Sequence, residues 1–238
     1  MDLKLLLVML FNIILKTGII PSNWCISFIS PIYKNKGATS DPDNYRGISL
    51  ISCLGKLFTA LINERLNQFV NVNKILGEEQ AGFRSGYSTQ DHIFTFHTLI
   101  DLYLNKIGPK KNLYCSFIDY RKAFDLVDRS SLWSKLLAYN INGKIMKVIY
   151  NIYQNTKACI KLNNSISASF NCNIGVRQGD NLSPLLFSLF INDFDKYISE
   201  KFNGLKSIEN LFLDMVENNE IVISCCFCLL ALIKLFMG

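Results

Sequence analysis

The sequence predicts an α+β fold, an antiparallel sheet covered by helices on one side. Three observations point that way. Helix-like and strand-like segments alternate without the strict rhythm of a parallel strand–helix–strand sheet. Residues 158–174 carry a hairpin pattern: Ala158, Ile160 and Leu162 alternate with polar residues up to Asn163-Asn164, and Ile166, Ala168, Phe170, Cys172 and Ile174 alternate after it. Half of the 238 residues are apolar, which suits a real core and argues against disorder.

The elements follow in order. "LKLLLVMLFNIIL" (Leu3 to Leu15) reads as a packed helix; its short acidic flank and the lack of a small-residue cleavage site speak against a signal peptide. Gly18 and Pro21 break it. "CISFISPIYK" is a strand, with Pro31 favouring an edge position. The polar "NKGATSDPDNYRGISL" then delivers Arg46 just before an apolar run. Leu57 to Val70 is an amphipathic helix, with Leu57, Phe58, Leu61, Ile62 and Leu66 at helical spacing. Turn-rich "LGEEQAGFRSGYSTQDH" precedes a helix from about Ile93 to Leu104, and "NLYCSFI" is a strand after the basic turn "GPKKN". Helices follow at Ser131–Tyr139 and Lys144–Gln154. Beyond the hairpin, "GVRQGDN" is a loop. Ser183-Pro184 opens a helix, serine as cap and proline at the first helical position, with Leu185, Leu186, Leu189, Phe190 and Phe194 as its apolar face.

Net charge is +6, from 25 basic and 19 acidic residues, which leans toward an anionic partner such as nucleic acid. The eight cysteines form no paired C-x-x-C set, and several sit in apolar runs. That pattern indicates buried free thiols in a reducing, intracellular compartment (nucleus or cytoplasm) and opposes a disulfide framework or a zinc site. "IVISCCFCLLALIKLFM" (Ile221 to Met237) approaches membrane-span length but is interrupted by Lys234, leaving a membrane tail as an alternative.

Several residues suit chemistry. Asp119 ends the "YCSFI" strand, where a carboxylate and the neighbouring Tyr120 carbonyl suit a magnesium ion; a turn-initiating aspartate is the plainer reading. Asp125 and Asp128 read as capping or salt-bridging residues. In "GVRQGDNLSP", Gly175 and Gly179 let backbone approach a ligand and Gln178 offers a donor and an acceptor, although an ordinary glycine turn explains the same residues. Arg46 and Arg84 lie in glycine-containing segments, with Lys34 and Lys36 near Arg46, and suit phosphate or plain solvent exposure. His92 and His97 are assigned no role.

Taken together, "LFNIILKTGIIPSNWCISFISPIYKNKGATSDPDNYRGISLIS", "ILGEEQAGFRSGYSTQDHI", "LYCSFIDYRKAFDLVD" and "GVRQGDNLSPLLFSLFINDF" resemble, in order, the reverse transcriptase domain of non-LTR (LINE-like) retrotransposons. Each motif is modest alone, and four in series are specific. The resemblance runs from about Leu3 to about Tyr197. It implies a right-hand polymerase with fingers (about 20–110) and palm (about 111–200), a divergent apolar tail at 201–238 and no thumb. It also implies RNA-directed DNA synthesis with two Mg2+ ions, an RNA template, a DNA primer and deoxynucleoside triphosphates.

Carried over by residue, Asp119 matches the first catalytic, metal-holding aspartate and Tyr120 the residue whose carbonyl joins it. Phe124 matches the steric gate against ribonucleotides. Gln178 and Gly179 match the loop lining the nucleotide pocket, Arg46 and Lys34 the fingers cations that neutralise the triphosphate, and Arg84 and Arg177 contacts to nucleic acid. The family's Tyr/Phe-Ala-Asp-Asp box is missing. In its nearest echo, "LFLDMV", Asp214 matches the second aspartate and Leu213 stands where the ligand should be. A leucine cannot coordinate magnesium, so the expectation is a truncated, catalytically impaired fragment, its rate lowered on the order of thousands-fold. A non-catalytic RNA-binding module is the alternative.

Overall fold

The computed structural model describes residues 2–78, 80–107, 114–117, 120–163, 165–201, 205–206 and 222–225. They form two compact units, one of residues 1–75 with 122–190, the other of 76–121 with those from 191 onward.

In the first unit, α1 (Leu3–Thr17) is capped at its start by Asp2 and closed by Gly18, whose left-handed φ of 77° turns the chain out of the helix. Strands β1 (Ile26–Tyr33) and β2 (Tyr45–Leu50) pair antiparallel. Helix α2 (Cys53–Val72) buries Phe58, Ile62, Leu66 and Val70, a row four residues apart. The predicted Leu57 is instead half exposed, because Gly55 and Thr59 take the adjoining inward positions and Gly55 lets the Trp24 ring lie close against α2. Phe11, Trp24 and Phe58 join in one aromatic cluster, with ring centroids 5.2 to 6.3 Å apart.

The region predicted as a hairpin is preceded by helices α4 (Arg129–Ala138) and α5 (Gly143–Gln154), which bury Leu132, Leu136, Val148, Ile149, Ile152 and Tyr153. Here α3 denotes Thr89–Ile107 and β3 Tyr114–Phe117, both of the second unit. The hairpin consists of β4 (Lys157–Leu162), β5 (Ser165–Ile166) and β6 (Phe170–Asn171). Its return arm is broken at Ser167, where the Ser167 hydroxyl accepts from the Ile160 N–H and replaces regular ladder pairing. Helix α6 (Ser183–Ile191) buries Leu185, Leu186, Phe187 and Leu189.

The sheet order is β2-β1-β4-β5, with β6 also on β4. The sheet is mixed rather than antiparallel as the sequence suggested. β1 and β4 run parallel over Ile26–Ile29, because the chain between them passes through several helices and is not constrained as a hairpin is. β1 is therefore an inner strand at Phe28 and Ile29, where both neighbours pair with it. At Pro31 the β4 partner has ended and only Gly47 of β2 pairs, so proline's missing N–H falls on a locally open edge.

In the second unit α7 (Phe194–Lys201) leads to β7 (Leu205–Lys206), and β8 is Val222–Cys225. β3, β8 and β7 pair in that order, all parallel, with Tyr114 opposite Val222 and Phe117 opposite Cys225. The rest of the segment Ile221–Met237 lies outside the described residues. Among those described, no helix is long and apolar enough to cross a membrane. Cys25, Cys53, Cys159 and Cys172 are free, and Cys25 and Cys159 are buried.

Candidate functional site

The glycine loop after the hairpin is the best-built polar feature of the first unit. Gly175 and Gly179 have φ of 78° and 97°, a region that side chains disfavour. A Cβ at Gly175 would stand 2.6 Å from the Asp125 carbonyl oxygen, and one at Gly179 2.8 Å from that of Ser49. These contacts press the loop against two neighbours, the 124–127 segment and β2. Hydrogen bonds follow the contacts. The Gly175 N–H donates to the Val127 carbonyl (2.8 Å), the Val176 N–H to the Phe124 carbonyl (2.7 Å), and the Ser49 N–H to the Gln178 carbonyl (3.2 Å).

Beneath the loop lies a buried polar network. Arg177 donates through Nη1 to the Trp24 carbonyl (2.8 Å) and through Nη2 to Asp180 Oδ2 (3.1 Å). Asp180, with no side-chain exposure, also accepts from the Thr59 hydroxyl at 2.6 Å. Arg177 Nε is buried without a partner, so the network is incompletely satisfied. Arg129 binds the loop's first carbonyls, with Nε to Gly175 (2.9 Å) and Nη2 to Ile174 (3.3 Å), while Nη1 reaches the Tyr153 carbonyl (2.7 Å). Both guanidinium groups lie over the Tyr153 ring. Burial, foremost, and the nearby Asp180 carboxylate push the Tyr153 hydroxyl up to about 12.

At the surface of the loop, Gln178 Nε2 donates to both oxygens of Asp125, at 3.3 Å each. Desolvation pushes the Asp125 carboxyl up, opposed by Lys122 and by this amide. Phe124 stacks on Phe187 at 5.2 Å between centroids. A groove of about 290 Å³ opens beside these residues, lined among others by Ser27, Ile29, Ser49, Asp125, Arg129 and Gln178.

A loop glutamine and an aromatic side chain on two hydrogen-bonded segments suit a flat polar ligand. The sequence profile described as "Reverse transcriptase (RNA-dependent DNA polymerase)" matches residues 32–223, most of the chain. The chain belongs to the reverse transcriptase family. Its similarity to mobile-element proteins places it with the non-LTR, LINE-like members. It is 33% identical over 189 residues to the probable RNA-directed DNA polymerase from transposon BS of Drosophila melanogaster, covering 79% of the chain and 20% of that protein. It is 28% identical over 191 residues to the RNA-directed DNA polymerase from mobile element jockey of the same species, again covering 79% and 20%. The R2DM Pol polyprotein, also of Drosophila melanogaster, is 28% identical over 185 residues, covering 77% and 17%. The chain thus spans about a fifth of the length of these curated relatives.

In this reverse transcriptase domain the structure brings Phe124, Gln178 and Gly179 together. It draws Arg177 inward: the side chain is 6% exposed and spent on the buried pair, so the predicted contact to nucleic acid gives way to a scaffold role. Arg46 pairs with Ile32, and by strand alternation shares the face opposite Ser49 and Ile29, which line the groove. Lys34 gives its ammonium to the Asp43 carbonyl (2.6 Å) within the β1–β2 turn, and Lys122 holds the Asp43 carboxylate at 3.0 Å.

In the second unit, Arg84 Nη1 binds the Gly77 and Gln80 carbonyls (2.7 and 3.1 Å) and its guanidinium covers the Tyr87 ring. The Tyr120 ring packs edge-on against Phe194. Asp119 and Asp214 lie outside the described residues. Among the described residues no group of three His, Cys, Asp or Glu is placed to hold a metal ion.

Sequence reasoning passed over Asp180, Thr59 and Tyr153, and read Asp125 as merely structural. Asp180 had a usable signal: it stands three residues after Arg177 at the mouth of an apolar helix. Asp125 had none, because its partner is 53 residues away.

Proposed function

We propose that this chain carries the substrate-binding surface of an RNA-directed DNA polymerase, with impaired nucleotidyl transfer. The observation that supports it is the locked loop: Gln178 is bonded to β2 and to the segment bearing Phe124, and Gly179 packs closely against the Ser49 carbonyl of β2. In this reading Gln178 and Phe124 face the sugar and base of an incoming deoxynucleotide. The RNA template and DNA primer are bound by fingers and palm, divided near residue 110.

Magnesium would supply charge neutralisation of the phosphates. Asp119 and the Tyr120 carbonyl are the residues proposed to hold it, and the described residues alone do not make such a site, so no step is drawn through it. Leu213, standing where a carboxylate is needed, is the reason for expecting impairment.

Primer extension by residues 1–238 on an RNA template with magnesium tests this. The expected result is little or no product. Robust extension that disappears in Asp119→Ala would overturn the impairment.

A further inference from the structure

Most candidate features of the molecule are already absorbed by the site, and one is not: an exposed aspartate with no part in the predicted chemistry sits against the loop glutamine. We propose that Asp125 is a positioning residue, its carboxylate fixing the orientation of the Gln178 amide and tying it to the segment that carries Phe124. The proposal rests on the reading of Gln178 and Phe124 as nucleotide contacts.

The geometry supplies the reasons. An ionised carboxylate only accepts hydrogen bonds, so the amide must turn its NH2 toward Asp125, as observed at 3.3 Å to each oxygen. The carbonyl end, Oε1, is thereby turned away. Of the two amide orientations, one is selected. The backbone on either side of Asp125 is held as well, Phe124 by Val176 and Val127 by Gly175. Gly175 allows this approach, since any Cβ there would collide with the Asp125 carbonyl. Gate and glutamine are therefore one rigid piece, and the Asp125 side chain links the two segments.

Remove the carboxylate and the Gln178 side chain regains its rotamers and both amide orientations, at a cost to any ligand that needs one. The test is a double-mutant cycle on the full chain loaded with an RNA–DNA primer–template, reading equilibrium binding of a fluorescent deoxynucleoside triphosphate. Asp125→Ala and Gln178→Ala should each weaken binding about tenfold, and the double variant should bind no worse than either. Asp125→Asn, which keeps one acceptor, should recover most of the affinity. Asp125→Leu, nearly the same size without an acceptor, should not; this pair guards against a variant that merely misfolds.

Additive losses of about a hundredfold in the double variant would overturn the proposal, as would an Asp125→Ala that binds like wild type. Wild-type chain that binds no deoxynucleotide would instead refute the nucleotide-site reading, and the positioning role would fall with it.

Discussion

Asp180→Ala tests the buried support of the loop. The substitution removes a carboxylate with no solvent exposure that holds Arg177 at 3.1 Å and Thr59 at 2.6 Å. Arg177 would keep only its bond to the Trp24 carbonyl, with a full charge 6% exposed and Nε already unpartnered. Breaking a buried pair by deleting one partner costs about 3–5 kcal/mol, a large share of the roughly 5–15 kcal/mol that holds a domain together.

The partner substitution should cost less. An unpaired carboxylate can be neutralised by a proton and here keeps its Thr59 donor, whereas a guanidinium stays charged, so Arg177→Met is expected to be milder than Asp180→Ala. The double variant Arg177→Met/Asp180→Leu should recover most of the loss. Urea unfolding followed by tryptophan fluorescence reads this directly, because Trp24 and Trp133 both belong to the first unit. With a slope of about 2 kcal/mol per molar urea, the Asp180→Ala midpoint should fall by roughly 2 M. A loss under about 1 kcal/mol, or Arg177→Met proving the more damaging, would refute the reasoning.

Three further outcomes are expected. Gly179→Ala should destabilise the first unit by about 1–3 kcal/mol, since φ is 97° and the new Cβ would meet the Ser49 carbonyl; equal urea midpoints for variant and wild type would contradict this. Tyr153 has a raised folded pKa, so the folded state keeps its proton between pH 10 and about 12 and stability falls as pH rises through that window. Two pH units correspond to about 2–3 kcal/mol, and Tyr153→Phe should flatten that alkaline slope while costing about 1 kcal/mol at pH 7 through the lost Ser183 contact. Arg84→Ala should loosen the turn around Gly77 and Gln80, read as faster cleavage in limited proteolysis, with Arg84→Lys giving partial protection, because one nitrogen, Nη1, holds both carbonyls and an ammonium can replace it but not the planar stacking on Tyr87.

Local pattern made much of the fold legible. The four-residue row on α2, the strongly amphipathic α5 and the alternation of the hairpin all depend on periods read within one window. What stayed hidden depends on distance along the chain. Nothing near Ile26 announces a parallel partner at Lys157, and nothing near Tyr114 announces one at Val222. The resemblance assigned Arg177 a contact to nucleic acid; only the fold shows Trp24 and Asp180 closing around it, with Thr59 behind Asp180. Gln178 was singled out through the serial motifs, whereas its bond to Asp125 was not legible there.

The central claim, that the locked loop is a deoxynucleotide surface, is tested most directly by equilibrium binding. Wild-type chain bound to an RNA–DNA primer–template with magnesium is titrated with deoxy- and ribonucleoside triphosphate, alongside Gln178→Ala. Saturable binding that favours the deoxynucleotide and weakens about tenfold in the variant is expected. Equal affinity of wild type and Gln178→Ala for the deoxynucleotide would contradict it.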